Sequence, residues 1–237
     1  MRLLLENVTK AFGDVLAVDN ISCALDGGQI AGLVGPNGAG KTTLLNIIAN
    51  FVRSDSGRVT LEGDPLPPGL AAYVPEFPDL FPVLTVWEHF KFIATAHGIS
   101  QWEPKVLEYM DKFNIGGKKD AFAGDLSRGT KQKLAIGICL LREPEILLLD
   151  EPFSNLDPAS VRELRNQIET SKSPGRIILI SSHNLESIQH LCSRVLIMNQ
   201  GKLVRNQKID AILEEMRNKG YRSLEDLFLE VTENAGG

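Results

Sequence analysis

Short hydrophobic segments separated by glycine-containing turns begin the chain. In residues 3–8 and 15–25, hydrophobic residues alternate with polar ones or form nearly continuous stretches. Gly13-Asp14 and Gly27-Gly28 bound these segments. Segments of this kind, each ended by a turn, are typical of antiparallel strands. The amino-terminal part of the chain is therefore expected to form an antiparallel β layer.

The pattern then changes to strands that alternate with helices. Residues 29–34 are a short apolar run that leads into a glycine-rich loop, and residues 41–50 follow with helical spacing of their apolar side chains. Further short apolar runs at 146–149, 176–180 and 195–198 are separated by helical patterns. Such alternation is typical of a largely parallel sheet with crossover helices. The sequence therefore predicts an α/β fold.

A helical insertion interrupts this arrangement after Pro75. Prolines punctuate an entry loop, and residues 87–97 and 104–113 then have helical periodicity. We predict one domain over residues 1–237, with a core at about 1–75 and 141–205, a helical subdomain at about 76–140 and a helical tail at about 206–237.

The predicted tail has one apolar face. Leu224, Leu227, Phe228 and Val231 have the spacing that places side chains on one side of a helix. Such a face either packs on the protein core or serves as a separate interaction helix, and we expect it to pack on the core.

Charge and hydropathy narrow the range of partners. The formal net charge is -5 and the pI is about 5.5, whereas a surface for nucleic acid or anionic lipid needs clustered Lys and Arg. We therefore expect any anionic ligand to bind at a local site.

The sequence has neither a signal-peptide pattern nor an apolar run near the ~18 residues of a membrane span. A role at a membrane would depend on a partner.

The three cysteines do not suggest a special chemistry. Cys23, Cys139 and Cys192 lie far apart, in apolar stretches. This spacing matches neither a disulfide framework nor a metal site. We interpret them as buried thiols that act as small hydrophobic groups, rather than as redox groups or ligands.

The most specific chemical signal is the glycine-rich loop between a predicted strand and a predicted helix. It satisfies the phosphate-loop template and comprises Gly35, Pro36, Asn37, Gly38, Ala39, Gly40, Lys41, Thr42 and Thr43. Glycines let consecutive N–H groups turn toward phosphates, and the following helix directs its positive end at them. Lys41 would bind the β- and γ-phosphates, and Thr42 would face Mg²⁺. We favour a nucleotide site over a glycine-rich turn without a ligand.

A pair of carboxylates follows the apolar run at 146–149. Asp150 is predicted to hold Mg²⁺ or its water, because binding groups collect at the carboxyl ends of parallel strands. Glu151 is expected to point differently, since strand side chains alternate, and could orient or deprotonate an attacking water. Taken by themselves, the two residues could equally begin a surface loop before Pro152.

The segment at 126–132, Leu-Ser-Arg-Gly-Thr-Lys-Gln, precedes a helical pattern. Ser127 and Gly129 would present a hydroxyl and N–H groups at the start of a helix, which suits an anion. Taken by itself, the segment is better explained as a plain helix N-cap at Ser127.

In their order and spacing, these segments resemble the ABC ATPase family over nearly the whole chain. The resemblance rests on the phosphate loop, the segment at 126–132, Asp150-Glu151, the stretch at 154–157, and His183 after the residues at 177–182. It implies a P-loop ATPase core that binds ATP and Mg²⁺ and hydrolyses ATP.

The resemblance also implies a role for each motif. Lys41, Glu151 and His183 would be catalytic, with His183 as a switch histidine, and Thr42 and Asp150 would lie at the metal. The signature residues Ser127, Arg128, Gly129 and Gln132 would act on the ATP of a second subunit, and the dimer-interface loop would consist of Ser154, Asn155, Leu156 and Asp157. An aromatic residue usually stacks on adenine where Phe12 stands, although Phe12 would suit the core as well.

The chain departs from the family pattern at two positions. Arg128 stands where the signature usually has glycine, and Glu76 stands where a glutamine usually meets Mg²⁺. Both departures, and the tail at 223–229, resemble a subgroup of exporter ATPases with separate membrane subunits. The resemblance therefore favours export over import, and it suggests that Glu76 approaches Mg²⁺ directly or through water.

The partners that the resemblance implies are a second ATPase subunit, expected to be an identical copy, and an integral membrane permease. The chain would then be cytoplasmic, on the inner face of the cell membrane, and no nucleic acid partner is expected. An alternative is a non-transport ABC ATPase that acts on ribosomes or DNA, but paired cassettes, a long coiled-coil insertion or a basic arm are not visible in the sequence. A P-loop kinase would not explain the segment at 126–132 together with His183.

Overall fold

The computed structural model describes residues 1–221 and residue 230. The apolar face predicted for Leu224, Leu227, Phe228 and Val231 lies outside the described residues. Within the region predicted as a tail, the structure has a strand at Lys202–Lys208 and a helix at Ile209–Lys219.

Strands and helices alternate over most of the chain, which confirms the α/β class. The strands are β1 (Arg2–Phe12), β2 (Val15–Asp26), β3 (Ile30–Val34), β4 (Ser56–Leu61), β5 (Asp64–Pro65), β6 (Ala71–Val74), β7 (Ile146–Leu149), β8 (Ile177–Ser182), β9 (Arg194–Asn199) and β10 (Lys202–Lys208). The α-helices are α1 (Lys41–Ile48), α2 (Val86–Ala96), α3 (Glu103–Lys112), α4 (Arg128–Leu141), α5 (Pro158–Thr170) and α6 (Ile209–Lys219).

The amino-terminal strands form the predicted antiparallel layer. Their sheet has the order β2-β1-β4-β5, and the long hairpin of β1 and β2 turns at Gly13, whose φ is 58°. Leu3, Leu5 and Val8 of β1 are buried. These side chains give the sheet one face that packs into the hydrophobic core.

The second sheet is mainly parallel and has the order β10-β9-β3-β8-β7-β6. β9, β3, β8 and β7 run parallel to one another, whereas β10 is antiparallel to β9. All residues of β3, β7 and β8 are buried, which explains their continuous runs of apolar residues. Because parallel strands end at one edge, this edge collects the residues after Val34, Leu149 and Ser182.

The chain divides into two compact units. Among the described residues, the sheet unit consists of residues 1–73, 145–151, 172–221 and 230, and the helical unit consists of residues 74–144 and 152–171. One hydrophobic cluster in the sheet unit includes buried residues of both sheets and of α1, such as Leu5, Leu33 and Leu44. That cluster fixes the position of α1 and therefore of the loop before it.

The helical unit contains α2, α3, α4 and α5. The Thr85 hydroxyl accepts a hydrogen bond from the Glu88 N–H and the Glu88 carboxylate accepts one from the Thr85 N–H, so a capping box begins α2. α5 belongs here because the Gln167 amide donates to the Lys112 carbonyl at 3.2 Å and Glu163 pairs with Lys133.

The prediction of three buried thiols holds only in part, since Cys192 is buried whereas Cys23 and Cys139 are partly exposed. The side chains of Cys23, Cys139 and Cys192 are thiols rather than halves of a disulfide. Desolvation by burial raises the pKa of Cys23 to about 11 and those of Cys139 and Cys192 to about 12. The unreactive thiol is therefore the dominant form near neutral pH.

None of the helices in the described part of the chain is both long enough and apolar enough to cross a membrane.

Candidate nucleotide-binding and hydrolysis site

The phosphate loop connects β3 to α1 and is shaped by its glycines. Gly38 and Gly40 have φ values of 81° and 98°, in the left-handed region that favours glycine. A Cβ added at Gly40 would lie 2.0 Å from the Ala17 carbonyl oxygen, and one at Gly35 would lie 2.4 Å from that of Met198. The loop can therefore take this path only with glycine at both of these positions.

Lys41, the first residue of α1, directs its ammonium group back over this loop. The side chain is only 6% exposed, and Nζ donates to the carbonyl oxygens of Gly35 at 2.7 Å and Pro36 at 3.2 Å. Its charge is partly balanced by Glu151, whose Oε1 lies 3.4 Å away. A buried cation with neutral carbonyls as its nearest acceptors is suited to take up a phosphate.

Asp150 follows β7 and accepts hydrogen bonds from several elements. Its Oδ2 accepts from the Thr42 hydroxyl at 2.7 Å and from the Tyr73 hydroxyl at 3.0 Å, and its Oδ1 accepts from the Ser181 hydroxyl. Burial, and then the charge of Asp150, raise the pKa of Tyr73. Tyr73 therefore stays protonated and holds the carboxylate as a donor.

The donor set of Thr42 and Asp150 fits Mg²⁺. The cation prefers oxygen ligands in octahedral geometry, and neighbouring ligands at ~2.1 Å from such a cation lie about 3.0 Å apart. The Thr42 hydroxyl and the Asp150 carboxylate are already 2.7 Å apart. Only a small rearrangement would be needed for both to face one cation or its water.

Glu151 and His183 form the other half of this edge of the sheet. His183 Nδ1 lies 2.9 Å from Glu151 Oε2, and the Glu151 N–H donates to the Ser181 hydroxyl at 2.9 Å. Glu151 is only 11% exposed, whereas His183 is 52% exposed. The sheet unit thus brings together the two residues that the sequence predicted as a base and a switch.

The structure gives a different reason for the direction of Glu151 than strand alternation. β7 ends at Leu149, so Glu151 lies beyond the strand, with a φ of 46°. A glutamate in the left-handed region is uncommon and costs energy, and such residues concentrate at functional sites. The direction of its carboxylate therefore depends on a strained turn that is held by Ser181 and His183.

Sequence reasoning missed Tyr73 and Ser181, both of which hold Asp150 or Glu151. Tyr73 lies in β6, which is the neighbour of β7, and Ser181 lies near the end of β8, the other neighbour of β7. Both residues lie near the edge of the sheet at which Asp150 lies, and this shared position could have indicated their role. This signal becomes usable only when the strand order is known.

Phe12 is the last residue of β1, and its ring is 52% exposed. The side chain is therefore not a core residue, which was the alternative that the sequence left open. Lys10 Nζ lies 5.3 Å from the ring centroid. An exposed ring suits base stacking, which stays a prediction for Phe12.

The segment at 126–132 begins α4 in the helical unit. Ser127 is the N-cap and its hydroxyl accepts a hydrogen bond from the Thr130 N–H at 3.3 Å, so the plain N-cap expected from sequence is present. Ser127 is exposed, Gly129 is buried, and Gln132 is only 2% exposed. The side chain of Ser127 is accessible to a ligand, whereas that of Gln132 is buried.

Glu76 and Arg128 lie in contact within the helical unit. Arg128 Nη2 lies 3.4 Å from Glu76 Oε1, and Arg128 Cζ lies 4.2 Å from the centroid of the Phe77 ring. The role of Glu76 at Mg²⁺ stays a prediction. In the structure, its carboxylate has this guanidinium as a partner.

The predicted interface loop leads into α5. Asp157 is the N-cap and accepts from the N–H groups of Ala159 at 3.0 Å and Ser160 at 3.1 Å. Hydrogen bonds, led by that of the Ser160 hydroxyl, hold the pKa of Asp157 below its usual value. Asn155 has a φ of 55° and donates to the Ser154 hydroxyl at 2.9 Å. These contacts give the loop a defined shape, and its role in a dimer stays a prediction.

Known proteins are similar to this chain in both sequence and fold. The family model of the ABC transporter matches residues 18–154. An uncharacterized ABC transporter ATP-binding protein of Methanocaldococcus jannaschii is 38% identical over 217 residues, which are 91% of this chain and 80% of that protein. The lantibiotic transport ATP-binding protein SrtF of Streptococcus pyogenes is 32% identical over 95% of each chain.

A solved structure of the ATP-binding subunit of an ABC transporter has a TM-score of 0.85 and 29% identity. The alignment covers 98% of this chain and 100% of that one. These similarities confirm the resemblance inferred from the motifs and the P-loop ATPase fold. The chain belongs to the ABC transporter family, as an ATP-binding and ATP-hydrolysing subunit of a transport system.

Proposed function

We propose that this chain works as one of two identical subunits, which close around two ATP molecules and thereby drive export through a separate membrane subunit. The observation that carries the hydrolytic part of this proposal is the grouping of Lys41, Thr42, Asp150, Glu151 and His183 at one edge of the sheet unit. Lys41 supplies a cation for phosphate, and Thr42 and Asp150 supply oxygen ligands for Mg²⁺. Glu151 supplies a base, and His183 orients that base.

At this edge, each residue has a distinct task. The N–H groups of the phosphate loop and Lys41 bind the β- and γ-phosphates, and Thr42 and Asp150 hold Mg²⁺ directly or through water. The metal would neutralise charge on the phosphate oxygens. Glu151 orients the attacking water and accepts its proton, and His183 fixes the Glu151 carboxylate and contacts the γ-phosphate.

The second subunit is expected to complete the site. Ser127 and Gly129 offer a hydroxyl and an N–H at the start of α4, where donors suit the γ-phosphate of an ATP held by the other subunit. The loop at 154–157 would lie at the same interface. Hydrolysis would remove charge contacts between the subunits, so that the dimer opens and moves its membrane partner.

The names of two relatives support a role in export. One is named as a lantibiotic transport ATP-binding protein, and another, from Burkholderia lata, is the Nod factor export ATP-binding protein I, which is 32% identical over 216 residues. We infer that this chain likewise acts on the inner face of the cell membrane, bound to an integral membrane permease.

Co-purification from its host tests the transport assignment. We expect the tagged chain, extracted from membranes with mild detergent, to retain an integral membrane protein in a defined ratio. The same preparation should hydrolyse ATP, because the tagged chain in it has an unaltered phosphate loop. Retention of ribosomes or nucleic acid in place of a membrane protein would overturn the transport role and leave the ATPase assignment standing.

Glu76 is proposed as a further residue at the metal. Replacement of Glu76 by glutamine removes a negative charge, so we expect a higher half-maximal Mg²⁺ concentration for ATP hydrolysis at fixed ATP, with hydrolysis retained at saturating Mg²⁺. Asp79→Asn removes the same charge from an exposed position nearby and is the matched control. An Mg²⁺ midpoint that is unchanged or lower in Glu76→Gln would exclude this role.

A further inference from the structure

The two residues that depart from the family pattern contact each other. Glu76 and Arg128 are separated by 52 positions in sequence, yet the carboxylate and guanidinium lie 3.4 Å apart. The Phe77 ring lies against the same guanidinium, with Arg128 Cζ 4.2 Å from its centroid. The family usually has glutamine at the position of Glu76 and glycine at the position of Arg128, and neither of these residues could form the ion pair.

The environment of Arg128 favours an acidic partner for its charge. Arg128 is the first residue of α4, and the partial positive charge at the amino end of a helix disfavours a cation there. Ser127 caps the helix through its hydroxyl, which carries no charge to offset the guanidinium. The Glu76 carboxylate supplies that charge, and the Phe77 ring adds a cation–π contact.

This ion pair is stable enough to position Arg128 but weak enough to open. Arg128 and Glu76 have side-chain exposures of 30% and 34%, and their N···O distance of 3.4 Å is longer than the usual range for a hydrogen bond. Exposed pairs contribute little and are screened by salt. A triphosphate carries several negative charges, so it would compete effectively with one carboxylate for the same guanidinium.

We propose that Glu76 and Phe77 act as a latch on Arg128, which sets the ATP concentration at which two subunits close. This inference rests on the proposed function, because it requires α4 of one subunit to face the ATP of the other. In the single subunit, the latch neutralises and positions the guanidinium. On closure, Arg128 leaves Glu76 and donates to the triphosphate of the second subunit.

The latch predicts opposite effects of its two charged members on dimer formation. Glu151→Gln serves as the parent, so that ATP persists, and the dimer fraction is measured by sedimentation velocity against ATP at saturating Mg²⁺. Adding Glu76→Gln should lower the half-maximal ATP concentration by about two- to five-fold, the range that an exposed ion pair allows. Adding Arg128→Gln should raise it by roughly tenfold, as for loss of a charged hydrogen bond.

The double variant separates the latch from independent effects of the two residues. With Arg128→Gln present, Glu76→Gln should produce no further change, because there is no guanidinium to release. Phe77→Leu should lower the midpoint in the same direction as Glu76→Gln but by less. The effect of Glu76→Gln should also shrink at high salt.

Controls on the single subunit exclude a merely structural role. ATP affinity of the parent and of its Phe77→Leu variant, measured by titration at saturating Mg²⁺ and at protein concentrations too low for dimers, should stay the same. The thermal midpoints of all variants should confirm that they fold. A Glu76→Gln effect that persists in the Arg128→Gln background, or an unchanged or higher midpoint in Glu76→Gln, would overturn the latch. A parent that forms no dimer with ATP would instead overturn the proposed dimeric function.

Discussion

Replacement of Glu151 by glutamine is expected to abolish most ATP hydrolysis while ATP binding persists, and to leave the chain as an ATP-stabilised dimer. Glutamine keeps the length of the side chain and can still form a hydrogen bond with His183, whose Nδ1 lies 2.9 Å from the carboxylate. It cannot accept a proton from water. Loss of a positioned general base typically lowers a rate by about 10²- to 10⁴-fold.

The substitution also changes the charge balance at the phosphate loop. Lys41 Nζ lies 3.4 Å from Glu151 Oε1, and both side chains are largely buried. Without the carboxylate, the ammonium is less well compensated, so an anionic ligand gains in relative affinity. We therefore expect Glu151→Gln to bind ATP at least as tightly as the unchanged chain.

Steady-state phosphate release and size-exclusion chromatography with ATP and Mg²⁺ test this prediction together. Glu145→Gln is the matched control, since Glu145 is exposed and precedes the same strand, β7. That control should hydrolyse ATP at the parental rate. If Glu151→Gln also did so and stayed monomeric at high protein concentration, Glu151 would not be the base.

The sequence was sufficient to predict the parts of this site that are local. β3, the phosphate loop and α1 follow one another directly, so the position of Lys41 and Thr42 depends on a short segment. Asp150 was predictable because β7 is a buried strand and such strands end where parallel sheets bind ligands. Local pattern and general sheet geometry were enough for these residues.

The contacts that the sequence did not predict join distant segments through the strand order. Tyr73 and Ser181 hold Asp150 from strands on either side of β7, and hydrophobic periodicity carries no information on which strands are neighbours. The left-handed turn at Glu151 was hidden for another reason. Glutamate is not a residue that usually signals such a turn, so only the surrounding hydrogen bonds specify it.

The pairing of Glu76 with Arg128 shows a further limit of pattern reasoning. Each residue was noticed in the sequence as a departure from the family, and each was interpreted by itself. The contact depends on how the loop after β6 lies against the start of α4 within the helical unit. Two departures that compensate each other in charge are a signal that could have suggested it.

Replacement of Lys41 by alanine is expected to weaken ATP binding by about 10- to 100-fold, since a hydrogen bond to a charged group contributes ~1.5–3 kcal/mol. The side chain is 6% exposed and its ammonium already lies over the phosphate loop, within hydrogen-bonding distance of the Gly35 and Pro36 carbonyls. The cation therefore needs little rearrangement to reach a phosphate. Alanine would also leave the Glu151 carboxylate without its nearest cation, which repels an anionic ligand.

Titration with a fluorescent ATP analogue, in the presence and absence of Mg²⁺, measures this loss of affinity. Lys172→Ala removes an exposed lysine from the same unit and should leave the affinity unchanged. The doubly substituted Lys41→Ala, Glu151→Gln chain separates the two contributions of Lys41, because it lacks the carboxylate that Lys41 otherwise balances. Its affinity should recover in part but remain below that of Glu151→Gln, because the contact from Lys41 to phosphate is still missing. Equal affinity of Lys41→Ala and the unchanged chain, with both folded by thermal unfolding, would show that the phosphate loop does not bind ATP through Lys41.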